Sequence, residues 1–272
     1  YYQKNDVTPP DVLRREFGFG WKDKIDYRHK SFVDSKSLKE FFVKEVPLYA
    51  SYSLAHYEFP AARPMPKKVF LGADLVFDLD TTYEGEKHEH NTLLCHYCLC
   101  RVAQDALRLK EEFLLKDFGF SKDEIITNFS GQKGFHLHVR SESVQQLSSN
   151  ARKELLDYVS GSFETEKLLG ISSEETDSSE RKKAVQANGP SNNSRGWGKK
   201  IFEKTRQLLE ESDKSKLADL GFTKKDAKYI LTNKEDAISQ LEKWHLSAFC
   251  SVSEKVFKYI AQEILVSTTF EI

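Results

Sequence analysis

Two segments carry residues whose types and spacing could do chemistry. In the apolar run Leu75-Val76-Phe77-Asp78-Leu79-Asp80, two carboxylates stand two residues apart. Side chains at i and i+2 of a strand leave by the same face, so Asp78 and Asp80 project together. Paired hard oxygen donors of this kind suit Mg²⁺ or Mn²⁺. The second segment is Ser130-Gly131-Gln132-Lys133-Gly134-Phe135-His136-Leu137-His138-Val139. Its glycine-flanked turn offers backbone N–H groups and a lysine, and alternation places His136 and His138 on one strand face. Ser130 and the turn amides can hydrogen-bond phosphate oxygens while Lys133 and His136 add charge. Two acids facing a basic turn suggest metal-assisted phosphoryl chemistry, with divalent ions bridging a triphosphate and an attacking 3′-oxygen.

A third constellation gathers His88, His90, Cys95, His96, Cys98 and Cys100. Tetrahedral Zn²⁺ takes sulfur and imidazole ligands, and His88, His90, Cys95 and Cys98 would make a compact four-ligand knuckle, with Cys100 and His96 as alternative ligands. A closed four-ligand site of this kind is structural. The fourth cysteine, Cys250, is remote. Such clustering is not a disulfide framework, and in an intracellular protein it points to metal.

The elements that must position these groups follow from pattern. A short helix is expected over Val12 to Phe17, a strand over Tyr27–Phe32, and a helix over Ser37–Val43 with a serine cap near its start. A proline-rich connector, Pro60 to Pro66, leads into the Asp-bearing strand. Apolar spacing at Val102, Ala106, Leu109 and Phe113 predicts an amphipathic helix over about 91–116, ended by Gly119. Strands over Ile125–Phe129 and Phe135–Val139 form a hairpin, and a helix follows over Ser143–Val159. Residues 171–198, rich in Ser, Glu, Asn and Gly, read as a mobile loop or linker. Beyond Trp197 the pattern is helical, with breaks near Gly221, Asn233 and Ser247, and it closes on a strand over Val266–Ile272. The fold class is α+β.

At 272 residues the chain can bury one large core or two smaller ones. No run approaches the roughly 18–20 apolar residues of a membrane-spanning helix, and the start is not a signal peptide; the expected location is intracellular, with no membrane partner. A net charge of −1 argues neither for nor against nucleic acid, so an electropositive groove would need charge segregation.

Taken in order, these residues resemble a family. Arg15-Glu16-Phe17, then Tyr27-Arg28-His29-Lys30-Ser31-Phe32, the Asp-x-Asp strand, the His/Cys cluster and Ser-Gly-x-x-Gly-x-His-x-His-Val are similar to the motifs of the small catalytic subunit of archaeal and eukaryotic DNA primases. The region after Arg195-Gly196-Trp197-Gly198-Lys199 looks like the archaeal form, with a helical part inserted before the last core strand.

The resemblance implies a mixed-sheet catalytic core (1–165 and 266–272) with a zinc knuckle at about 88–100, the linker 171–198, and a helical subdomain over 199–265. It implies synthesis of short RNA or DNA primers on single-stranded DNA template from NTPs or dNTPs, a large-subunit partner, and a cytoplasmic location for an archaeal member. By it Asp78 and Asp80 bind Mg²⁺ or Mn²⁺; Ser130, Gln132, Lys133 and His136 bind the incoming nucleotide, and Arg28 and His56 flank the site. The family usually carries a basic residue where Gln132 stands. It also carries a third catalytic aspartate and a basic block just after a strand like Thr268–Ile272, for which Asp74 is a poor replacement. A second reading is therefore a catalytically incomplete nucleotide- or DNA-binding module with structural zinc. A third is a metal-dependent nuclease or phosphatase, which the lysine- and histidine-bearing turn suits less well than triphosphate capture.

Overall fold

A computed structural model describes residues 1–81, 95–131, 133–162 and 191–242, together with the backbone of Thr269–Glu271. His88, His90, Gln132, residues 171–190 and residues 243–268 lie outside the described residues.

The sheet that carries the acidic pair has the order β7-β8-β6-β9, formed by Ile125–Phe129, Gly134–Val139, Leu75–Asp80 and Thr269–Glu271. Its neighbours are antiparallel throughout. Strict alternation sorts the two faces of the central strands. Leu75, Phe77 and Leu79 of β6 and Leu137 and Val139 of β8 are fully buried. Asp78 and Asp80 leave by the opposite face and remain half-exposed. That is the two-residue period of a strand with one dry side.

Helices cover the dry side. Helix α2 (His96–Arg108) continues directly into a π-helical turn over Leu109–Leu115, and buries Val102, Ala106, Leu109, Phe113 and Leu114. The helix expected over Ser143–Val159 is two pieces, α3 (Glu142–Gln145) and α4 (Ser149–Ser160). Ser148 breaks it by capping α4, its hydroxyl accepting from the Ala151 N–H at 3.2 Å. Helix α5 (Gly196–Glu211) starts inside the stretch expected to be loop, and α6 (Lys214–Asp219), α7 (Lys224–Thr232) and α8 (Lys234–Glu242) follow it. Trp197, Ile201, Phe202 and Leu209 of α5 join the same buried cluster as the sheet. Among the described residues no helix is long and apolar enough to cross a membrane.

The N-terminal part has its own small core. Strands β1 (Phe17–Gly20), β2 (Tyr27–Lys30) and β3 (Tyr49–Tyr52) pair in the order β2-β1-β3. Phe17 and Phe19 pack on Leu38 and Phe42 of α1 (Ser35–Glu45). The expected helix over Val12 to Phe17 is only a 3₁₀ turn, Val12–Arg14. Phe17 and Phe19 alternate with Gly18 and Gly20, a two-residue period that favours strand over helix. A ribbon of β4 (Ala55–Tyr57) and β5 (Phe70–Ala73) leads to β6.

Candidate nucleotide-binding site

Cross-strand register assembles the site. Asp78 lies opposite His136 and Asp80 opposite Gly134 on β8; on the other flank Asp78 lies opposite Glu271 and Asp80 opposite Thr269 of β9. Directly opposed residues share a face, so the basic turn arrives beside the carboxylates. Lys133 Nζ stands 3.0 Å from Asp80 Oδ2, and His136 Nε2 stands 3.3 Å from Asp78 Oδ1. The second contact has the distance but not the alignment of a hydrogen bond, and Asp78 Oδ1 is buried without a hydrogen-bond partner.

The turn itself is pinned. The Ser130 N–H donates to the Gly134 carbonyl at 2.9 Å, the Gly134 N–H donates to Ser130 Oγ at 3.0 Å, and the Thr81 N–H donates to the Lys133 carbonyl at 3.2 Å. Two of the amides expected to meet phosphate thus close the loop, while the Ser130 hydroxyl keeps its proton to donate. Gly131 adopts φ +97°, a left-handed conformation suited to glycine. Gly134 has a different reason: a Cβ there would overlap the Leu79 carbonyl and Asp80 Oδ1. Its missing side chain is the space in which the Asp80 carboxylate sits, a role that the turn signal alone did not disclose.

The remaining residues singled out in the sequence have surroundings of their own. Arg28 is exposed and lines a cavity of about 280 Å³ with Glu16, Gly18, Ile25, Ser51 and Ser53. His56 is buried, 3.7 Å from Asp74 Oδ1 and 3.8 Å from Asp11 Oδ2. Burial, and next the Arg15 guanidinium, hold its pKa below the ordinary imidazole value. Asp74 is spent on a buried ion pair with Arg15 at 2.6 Å. Arg15, fully buried, also donates to the Pro10 and Ser53 carbonyls at 2.7 and 2.8 Å. His138 shares the face of His136, with ring centroids 6.3 Å apart, but lies inside this polar cluster. Burial first, then Arg140 and His136, lower its pKa to about 4. Charged residues scattered through sequence and buried together gave no pattern by which to find this cluster.

Of the thiol-rich segment, Cys95 precedes α2 as its N-cap residue, Cys98 is buried and Cys100 exposed. Cys100 Sγ lies 3.6 Å from His96 Nε2, one helical turn away. Among the described residues no group of three or more His, Cys, Asp or Glu is arranged to hold a metal.

An acidic pair set against a basic, glycine-flanked turn on an antiparallel α+β core fits the class of nucleotidyl-transfer enzymes. The family model for the DNA primase small subunit matches residues 77–264. The DNA primase small subunit PriS of Methanothrix thermoacetophila is 34% identical over 272 residues, covering 94% of this chain and 68% of that protein. PriS of Methanococcoides burtonii is 30% identical over 281 residues, covering 96% and 69%. PriS of Thermoplasma volcanium is 37% identical over 164 residues, covering 59% and 48%. The chain belongs to the DNA primase small-subunit family, the primer-synthesising nucleotidyltransferases.

Proposed function

We propose that this chain joins ribo- or deoxynucleotides into short primers on single-stranded DNA, in company with a primase large subunit. The observation that carries the reading is the register that sets Asp78 and Asp80 beside His136 and the Lys133 turn. Asp78 and Asp80 would hold Mg²⁺ or Mn²⁺. The donor set fits: both ligands are hard carboxylate oxygens, and Asp78 Oδ1 lacks a hydrogen-bond partner. The bound metal would offset charge on the triphosphate and the attacking 3′-oxygen. Lys133, His136, Gln132 and the Ser130 hydroxyl would hold the incoming nucleotide, with Arg28 and His56 flanking the site. Fixing the triphosphate to a pinned turn lowers the entropy cost of in-line attack.

Zinc is a separate part of the proposal. Cys95 and Cys98 stand three residues apart at the start of α2, and with His88 and His90 they would close a tetrahedral site. Metal analysis of washed protein should find about one zinc per chain by that four-ligand logic, and Cys98→Ser should lose it.

The deciding experiment measures labelled-nucleotide incorporation on single-stranded homopolymer DNA, with the large subunit present and absent. Template-dependent product that vanishes in Asp78→Asn supports the reading. Normal synthesis by Asp78→Asn and Asp80→Asn would sink it.

A further inference from the structure

We propose that Lys133 and His136 form a latch across the acidic pair, closed without metal and opened by it, so that metal and nucleotide bind cooperatively. The inference rests on the reading of Asp78 and Asp80 as the metal ligands. Lys133 Nζ sits 3.0 Å from Asp80 Oδ2 and His136 Nε2 sits 3.3 Å from Asp78 Oδ1. Lys133 of the turn thus pairs with Asp80, while His136 of β8 stands across the approach to Asp78 Oδ1 without hydrogen-bonding it. The same side chains cannot serve both partners at once. A lysine ammonium in van der Waals contact with a carboxylate oxygen occupies the approach that a divalent ion needs for a bond of about 2.0–2.1 Å, and the two positive charges repel.

The latch is built to open. All four side chains are 30–42% exposed, and exposed pairs of this kind are weak and readily exchanged. The backbone beneath them is fixed by the Thr81–Lys133, Ser130–Gly134 and Gly134–Ser130 hydrogen bonds. Release therefore requires rotation of the Lys133 and His136 side chains and no rearrangement of the strands. Once a metal takes the carboxylates, the Lys133 ammonium and the His136 imidazole are free to turn to the triphosphate. Without metal, nucleotide must compete with Asp80 for Lys133. Because coupling between two ligands is reciprocal, each should tighten the other.

The test is Mn²⁺ binding to the full chain, followed by the spin-resonance signal of free Mn²⁺ without nucleotide. Lys133→Met should bind Mn²⁺ about 3- to 5-fold more tightly than wild type, the upper end of what an exposed ion pair is worth. Its gain in affinity for a non-hydrolysable nucleotide on adding Mn²⁺ should shrink correspondingly. Lys122→Met, which removes one exposed positive charge just before β7, controls for bulk electrostatics and should leave Mn²⁺ affinity within about twofold, as expected of a screened surface charge. Lys133→Gln provides the same comparison if the methionine variant folds poorly. Wild-type binding that is lost in Asp80→Asn, together with equal affinities for wild type and Lys133→Met, overturns the latch alone. So does equal tightening by Lys122→Met. Mn²⁺ binding that is absent from wild type, or indifferent to Asp80→Asn, overturns the metal reading and the latch with it.

Discussion

At Gly134 the absence of a side chain matters, because the Leu79 carbonyl and the Asp80 carboxylate together occupy the volume a Cβ would need. Gly134→Ala should push β8 from β6 or turn the carboxylate away. We expect a stability loss of about 1–3 kcal/mol from overpacking, with a fall in primer synthesis larger than that loss alone would produce; wild-type activity in a fully folded variant would refute the seat. Asp78 and Asp80 are half-exposed, so Asp→Asn at either should leave unfolding midpoints nearly unchanged. Synthesis should nevertheless fall by roughly 10³-fold, given the several kcal/mol of charge stabilisation a metal supplies. His138 acts on stability instead. Its folded pKa is near 4, held down by burial and by Arg140, His136 and Arg15 against the opposing pull of Asp74. Above the unfolded value of about 6.5 both states are neutral and the residue contributes no pH slope. As pH falls from there toward 4, the unfolded chain takes the proton first and stability drops, by roughly 3 kcal/mol at most. His56 shifts in the same direction. Urea unfolding at pH 7 and pH 4.5 should show the loss, and His138→Gln should flatten it; an unchanged slope in that variant would assign the effect elsewhere.

Between elements, the best-defined boundary is the start of α1. Asp34 accepts from the Ser37 N–H at 2.7 Å, and Ser37 Oγ accepts from the Asp34 N–H at 3.3 Å, a reciprocal capping box. Asp34→Ala should cost about 1 kcal/mol without changing nucleotide affinity; a large loss of affinity would show that α1 positions the site. This cap also explains why a helix read as starting near Ser37 begins two residues earlier. The β7–β8 hairpin and the Asp-bearing strand were legible because their apolar residues alternate and glycines mark the turn. Strands β3, β4 and β5 were not, since Tyr49–Tyr52 and Ala55–Tyr57 carry little apolar alternation and owe their form to pairing with β1 and β5. The acidic pair and its basic turn were legible as parts, each from local spacing. Their meeting depends on the pairing of β6 with β8, a long-range register that no local pattern states. Nor could spacing tell that His56 and His138 are withdrawn into the Arg15–Asp74 cluster.

At the scale of the whole molecule, two of the buried ion pairs among the described residues join parts distant in sequence. Arg15 with Asp74 anchors the N-terminal strands beside β6. On the other side, Lys200 of α5 donates to Asp117 Oδ1 and to the Glu112 carbonyl, both at 2.9 Å, while the Tyr158 hydroxyl donates to Asp117 Oδ2 at 3.0 Å. The side chains of Lys200 and Asp117 are only 10% and 8% exposed. Desolvation of both charges makes the net worth of such a pair small, yet removal of one partner strands the other in a dry setting. Asp117→Ala should therefore destabilise the fold by about 3 kcal/mol, the low end for a broken buried pair, because the ammonium keeps the Glu112 carbonyl and a Glu112 carboxylate oxygen at 4.0 Å while the phenol loses its acceptor. Adding Lys200→Met removes the under-compensated charge and keeps the stem's packing over Phe113, whose ring centroid lies 5.1 Å from Nζ. The double variant should recover at least half of the loss, a strongly non-additive result for residues in contact. Equilibrium urea unfolding of the two single variants and the double variant measures this directly. If the two single losses simply sum, Lys200 and Asp117 stabilise the junction independently, and the ion pair is not what holds α5 to the segment that follows α2.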